Sequence, residues 1–204
     1  MSDTSEPALS LKEPTTLYRW SILLFLSIAM FGNYYVFDSI SLVADKLKTE
    51  LQYTDFDIGQ LYSYYSIAAI IVLIFGGILV DKWGTKKSAI VFAIICTISG
   101  FITAFAQNLY LMLAGRFLLG IGSEPMIVAV TVAIAKWFKG KQLSFALGIN
   151  LFLARAGTYA VDNSPTVFSG VYQNGYQGPL ILAAVVGSLA LVGIMIYALL
   201  EHRG

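Results

Sequence analysis

The chain has 204 residues, of which 12% are charged and 57% apolar, with a formal net charge of +1. The charged share is about half that of a soluble domain, and the near-neutral balance gives no basis for nucleic acid or an acidic partner. The single cysteine, Cys96, lies in an apolar run, so it is a packing residue rather than a disulfide partner or metal ligand.

From the amino terminus, residues 1–16 are polar and carry two prolines, which predicts a disordered tail. Six apolar segments follow, over 17–44, 58–80, 88–106, 109–136, 142–170 and 179–200. A helix needs ~20 mostly apolar residues to cross the hydrocarbon layer, so each is long enough to span. The excess length predicts tilt or protrusion. A soluble bundle would need polar stripes along its helices, and Ile67–Leu79 and Ile181–Leu200 have none. The first segment is too long for a secretory leader and is expected to be retained. The sequence therefore predicts an all-α membrane protein.

Connecting segments alternate in charge. Lys12, Arg19, Lys82, Lys86, Lys87, Lys136, Lys139, Lys141 and Arg203 fall on one face, whereas Lys46 and Lys48 on the other are offset by Asp45, Glu50, Asp55 and Asp57. By the positive-inside rule both termini, including residues 201–204, are cytoplasmic, which an even number of spans satisfies. Trp20, Trp83 and Trp137 fall at the same ends, as interfacial anchors do. The longest outer loop is expected over 45–57, and a polar turn over 172–178. No repeat relating 17–106 to 109–200 is legible, although Gly32–Asp38 and Gly120–Pro125 sit at similar depths.

Asp38, Arg116, Glu124 and Arg155 fall inside the spans. A charge at the bilayer centre costs at least ~2.5–3.5 kcal/mol, so such residues face a cavity or a partner. Glu124 and Arg155 are each about halfway along their helices at ~1.5 Å per residue. Two arrangements suit them: a buried ion pair fixing helix packing, or a clamp on a zwitterion. In the clamp, carboxylate takes ammonium and guanidinium takes carboxylate in bidentate fashion. The two can coexist if the solute separates the pair. Arg116 and Asp38 are as well explained by a structural salt bridge as by contact with a solute. Pro125 removes a backbone donor beside Glu124, which predicts a kink or local unwinding. Tyr34, Tyr35, Tyr62, Tyr64 and Tyr65 cluster in the outer halves of the first two spans, as an interface belt or as a cavity lining. Asn33 and Asn150 are the uncharged polar candidates for the same path.

Gly77-Ile-Leu-Val-Asp81-Lys-Trp-Gly84-Thr-Lys86-Lys87 resembles the loop between helices two and three of the major facilitator superfamily. Arg116-Phe-Leu-Leu-Gly120-Ile-Gly122 resembles that superfamily's fourth-span signature. The likeness implies a six-helix half of the fold, built as two inverted three-helix repeats. It implies a cytoplasmic gate in which Asp81 caps or pairs while Lys82, Lys86 and Lys87 make charge contacts around Gly84. The Gly-Pro signature of drug–proton antiporters is missing from 144–158.

A narrower likeness joins Gly115–Glu124, Trp137–Lys141 and Ala154–Thr158 with Tyr35, Asp38, Tyr62 and Tyr65-Ser66. These resemble the lysosomal dipeptide-transporter branch. That resemblance implies a glutamate on the peptide amino terminus and an arginine on its carboxylate, roles that fall on Glu124 and Arg155, with Tyr62 and Tyr65 matching its second span; Asn150 joins the path as an uncharged polar residue. The expectation is a secondary transporter half for small zwitterions, dipeptides first, working by alternating access in the lipid bilayer. It is not expected to be an enzyme and has no cofactor or metal. Its expected partner is a missing second six-helix half or a second copy of the same chain. A non-transporting scaffold or regulatory half-protein, and a carrier of sugars or organic anions, are the alternatives. Residues 1–16 hold no acidic dileucine signal and the outer face no Asn-x-Ser/Thr acceptor, so a plasma or bacterial-type cytoplasmic membrane is expected, with a lysosomal one implied by resemblance alone.

Overall fold

The structure, a computed structural model, describes residues 15–173 and 175–201. The tail expected over 1–16, apart from its last two residues, and the end expected over 201–204, apart from Glu201, lie outside the described residues. The described residues form seven helices: α1 (Thr16–Leu51), α2 (Asp55–Trp83), α3 (Thr85–Phe105), α4 (Leu109–Trp137), α5 (Lys141–Val167), α6 (Ser169–Gln173) and α7 (Gln177–Glu201). By length and composition α1, α2, α3, α4 and α7 can each cross a membrane. The 27 residues of α5 are also long enough, but Asn150, Arg155, Asp162 and Asn163 make it the least apolar of the long helices.

Two connections differ from expectation. The outer loop expected over 45–57 is only Gln52–Thr54, because α1 continues to Leu51. Val43 and Leu47 extend its buried stripe into a cluster with Tyr53 and Tyr176, so packing carries the helix past its charged residues. Gln52 stops it in the left-handed region at φ 60°. Thr54 and Asp57 then form a capping box that starts α2, which places Asp55 and Asp57 at the positive end of a helix dipole. The turn expected over 172–178 is likewise shorter: α6 runs through Gln173, Gly175 turns at φ 78°, and α7 begins at Gln177.

The helices alternate in direction. At one end Trp20 packs edge-on against Phe138, Tyr18 lies 5.8 Å from Trp137, the Tyr18 hydroxyl donates to the Leu200 carbonyl, and Lys136 Nζ donates to Thr85 Oγ1 at 2.8 Å. These contacts gather the start of α1, α3 and α5 with the finish of α4 and α7 into one basic end. At the other, Lys48 pairs with Asp55 at 2.5 Å, Glu50 Oε2 accepts from the Tyr176 amide, and the Tyr176 hydroxyl donates to the Ala106 carbonyl.

Contacts supply the repeat that residue identity hides. α4 packs mainly on α2 and α3, α1 packs mainly on α5 and α7, and α3 packs on α7. Exchanging α1 with α4, α2 with α5 and α3 with α7 returns the same principal contacts, with helix directions reversed. The register of the exchange is 90 residues, the separation of Asn33 and Ser123, whose side chains hydrogen-bond at 2.7 Å between α1 and α4. A Cβ on Gly122 would meet Cys96 Sγ at 2.8 Å, and one on Gly32 would meet the Val186 carbonyl at 3.1 Å; these are equivalent places in that register. Gly115 against Thr103 is matched by Phe25 against Gly193. Small residues let the backbones approach where lipid offers no hydrophobic drive. Pro125 is accommodated without a break in α4 and packs on Gly76, so the local unwinding allowed by the sequence does not occur.

Candidate functional site

Between α1, α2 and α4 lies a cavity of about 140 Å³. Asn33, Tyr34 and Phe37 reach it from α1, Tyr65 from α2, and Ser123, Glu124 and Ile127 from α4. Their places follow from helical spacing, since Tyr34 and Phe37 share one face of α1 and Glu124 and Ile127 one face of α4. Tyr65 donates to Glu124 Oε1 at 3.0 Å and lies 3.1 Å from Ser123 Oγ. Ser123 Oγ also accepts from Asn33 Nδ2. The other amide atom, Asn33 Oδ1, is buried with no hydrogen-bond partner among the described residues. The half-buried Glu124 carboxylate is the charged acceptor of this cavity, suited to a cation with N–H donors.

Arg155 approaches from α5, its guanidinium carbon 5.3 Å from the centre of the Tyr34 ring. Tyr34 thus lies between the two charges: it lines the cavity together with Glu124, and the Arg155 guanidinium lies over its ring from outside the cavity's lining residues. Glu124 and Arg155 do not form the ion pair that their sequence positions allow, since the ion pair among the described residues is Lys48–Asp55. Arg155 is exposed and its guanidinium remains open to a carboxylate.

The other expected site residues are dispersed. Tyr62 lies outside the cavity, its ring 5.5 Å from the Arg116 guanidinium and 6.3 Å from Phe37. Asn150 is buried and accepts from Ser27 Oγ at 3.1 Å, tying α5 to α1. The expected alternative of an Asp38–Arg116 salt bridge is not formed. Asp38 instead accepts from Thr158 Oγ1 at 2.7 Å. Arg116, 1% exposed, is enclosed by the rings of Phe37, Tyr62 and Tyr65, because α4 buries it at a level where α1 and α2 present aromatic side chains. At the basic end Gly84 turns at φ 78°, and the Lys87 ammonium sits 5.9 Å above Trp83. Asp81, Lys82, Lys86 and Lys87 form no ion pair among the described residues.

Sequence reasoning passed over Tyr34, Phe37 and Ser123 as individual site residues. Their signal was adjacency and register. Ser123 precedes Glu124, and Tyr34 is the counterpart of Glu124 under the 90-residue relation set by Asn33 and Ser123.

Two inverted three-helix repeats around a polar, charge-bearing cavity within the bundle define one half-domain of a multi-pass membrane carrier fold. The chain belongs to the Major Facilitator Superfamily, whose family model matches residues 26–204. It is 28% identical over 202 residues to the lysosomal dipeptide transporter MFSD1 of Danio rerio, covering 92% of this chain and 43% of that protein. It is 31% identical over 158 residues to its Homo sapiens namesake, covering 73% of this chain and 33% of the relative. A probable sulfoacetate transporter of Cupriavidus necator is 29% identical over 160 residues, 78% of this chain and 36% of that protein. The chain spans less than half the length of these curated relatives.

Proposed function

We propose that this chain is the amino-terminal half of a secondary transporter for small zwitterions, dipeptides above all. Glu124 takes the ammonium and Arg155 the carboxylate. The observation that carries this is the place of Tyr34, which lines one cavity with Glu124 and lies under an Arg155 guanidinium that does not pair with Glu124, so that a carboxylate and a guanidinium on either side of it are both available to one solute. The resemblance to dipeptide transporters points to the same solute class.

Substrate in this fold lies between two halves, so a second six-helix unit supplies the facing wall. α5 serves as the fifth span: its exposed Arg155 and Asp162 are tolerated because they face that aqueous seam, and its buried Asn150 because Ser27 satisfies it. Alternating access rocks one half on the other, with the Asp81–Lys87 turn as the latch at a cytoplasmic face that also holds both termini. Positive-inside charge supports that orientation. A plasma or bacterial-type cytoplasmic membrane fits this charge pattern.

A second class of solute is favoured by a specific observation. Arg155 alone would suit an organic anion, and relatives include sulfoacetate and hexuronate transporters. Uptake of labelled glycyl-glycine into vesicles carrying the full-length transporter, competed by unlabelled dipeptides, acetate or glucuronate, separates the two. Competition by dipeptides alone supports the zwitterion assignment, and uptake of labelled glucuronate with none of labelled glycyl-glycine replaces it. A scaffold would take up none of them.

A further inference from the structure

Arg116 is among the largest fully buried side chains and has no part in the clamp described above. Its guanidinium carbon is 5.3 Å from the Phe37 ring centre and 5.5 Å from those of Tyr62 and Tyr65. Among the described residues Nη2 has no hydrogen-bond partner, and Nε reaches the Leu61 carbonyl only at 3.5 Å. A charge so placed is costly unless its surroundings answer it, and here the answer is three π faces. One of those rings continues into the site. Tyr65, whose ring centre is 4.6 Å from that of Phe37, sends its hydroxyl to Glu124.

We propose that Arg116 is a positioning residue that acts through Tyr65, holding its ring so that the hydroxyl addresses Glu124 and sets how Glu124 receives a ligand's ammonium. The second clause rests on the function proposed above; the first stands alone. Tyr65 has one proton and two acceptors at nearly equal range, Ser123 Oγ at 3.1 Å and Glu124 Oε1 at 3.0 Å. Ser123 Oγ already receives the Asn33 amide. A small tilt of the ring therefore decides whether Glu124 keeps its donor. The broad guanidinium, its carbon 5.5 Å from the ring centre, restrains that tilt; a lysine keeps the charge but not the breadth.

The test uses the full-length transporter in lipid nanodiscs with 3-fluorotyrosine at position 65, read by fluorine magnetic resonance without ligand. Glu124→Gln should shift the resonance when Arg116 is present and leave it unmoved in Arg116→Lys. An equal shift in both backgrounds overturns the proposal. Glycyl-glycine affinity gives a second readout. Arg116→Lys and Tyr65→Phe should each weaken binding about tenfold, the scale of one hydrogen bond to a charged group, and together no more than either alone. Losses that multiply also overturn it. If Arg116→Lys does not fold, Phe37→Leu loosens the same enclosure from its apolar side and should abolish the resonance shift equally; a persisting shift counts against Arg116. Fluorine coupling with glycyl-glycine binding indifferent to Glu124→Gln would leave Arg116 as the aligner of Tyr65 and remove the dipeptide assignment alone.

Discussion

Tyr65 occupies, in the first three-helix repeat, the place that Arg155 occupies in the second. The two are related by the 90-residue register that joins Asn33 to Ser123, and each engages the other repeat's counterpart of the same position: Tyr65 donates to Glu124, and Arg155 lies over Tyr34. The repeats have thus placed a tyrosine–carboxylate pair and a tyrosine–guanidinium pair at equivalent positions, the first a hydrogen bond and the second a cation over a ring, with opposite charge. A near-symmetric scaffold carrying antisymmetric charge suits a solute whose two ends differ in sign.

Glu124→Gln removes the negative end while keeping the shape and the Tyr65 contact. A hydrogen bond to a charged group contributes ~1.5–3 kcal/mol, so glycyl-glycine uptake by the full-length transporter should fall by ~10- to ~100-fold. Arg155→Ala should fall at least as far, since a bidentate partner is lost. Both proteins should insert and elute as the parent does on size-exclusion chromatography. Parental uptake in both would remove the clamp.

Tyr34 is predicted to act through its ring. Tyr34→Phe should retain uptake, because the π face under Arg155 remains. Tyr34→Leu frees the guanidinium at a cost of ~0.5–2 kcal/mol and should raise the half-saturating dipeptide concentration ~2- to ~30-fold with little change in maximal rate. A comparable loss in Tyr34→Phe would transfer the role to the hydroxyl.

Helix packing makes a sharp contrast between two glycines. A Cβ on Gly120 would overlap the Tyr65 carbonyl and lie 2.9 Å from Ala68 Cβ, whereas one on Gly59 would meet nothing within 4 Å. Gly120→Ala should destabilise by ~1–3 kcal/mol, as overpacking does. Gly59→Ala should be neutral or stabilise by up to ~1 kcal/mol through helix propensity. Thermal unfolding in a mild detergent compares them directly. Equal midpoints would refute the close approach of α2 and α4.

The capping box at the start of α2 gives a further check. Thr54 Oγ1 accepts from the Asp57 amide at 3.2 Å, while Asp57 accepts from the Thr54 amide at 2.8 Å. Thr54→Ala should cost ~1 kcal/mol, and Thr54→Ser should restore most of it. Hydrogen exchange of the first turn of α2 should rise in the alanine variant alone.

Much of the fold was legible because lipid imposes it. Long apolar runs fix the helices, and the lysines and tryptophans gather at one end, as the contacts of Trp20, Trp137 and Lys136 bear out. The connections were less legible. Charge suggested a loop at Asp45–Glu50, yet buried Val43 and Leu47 hold that stretch in α1. The site was half legible. In-span charge singled out Glu124 and Arg155, but which aromatic ring each would meet depends on helix rotation, which no local pattern encodes. So Tyr62, a natural choice beside Tyr65, turned to Arg116, and Tyr34 took the central place.

The central claim is that Glu124 and Arg155 hold opposite ends of one solute. Isothermal titration of the full-length protein with glycyl-glycine, N-acetyl-glycyl-glycine and glycyl-glycinamide tests it, because the second compound lacks the ammonium and the third the carboxylate. The parent protein should prefer the free dipeptide to both derivatives; Glu124→Gln should lose discrimination against the acetylated form only, and Arg155→Ala against the amide only. Equal affinity of the parent for all three, or discrimination unchanged in both variants, would contradict it.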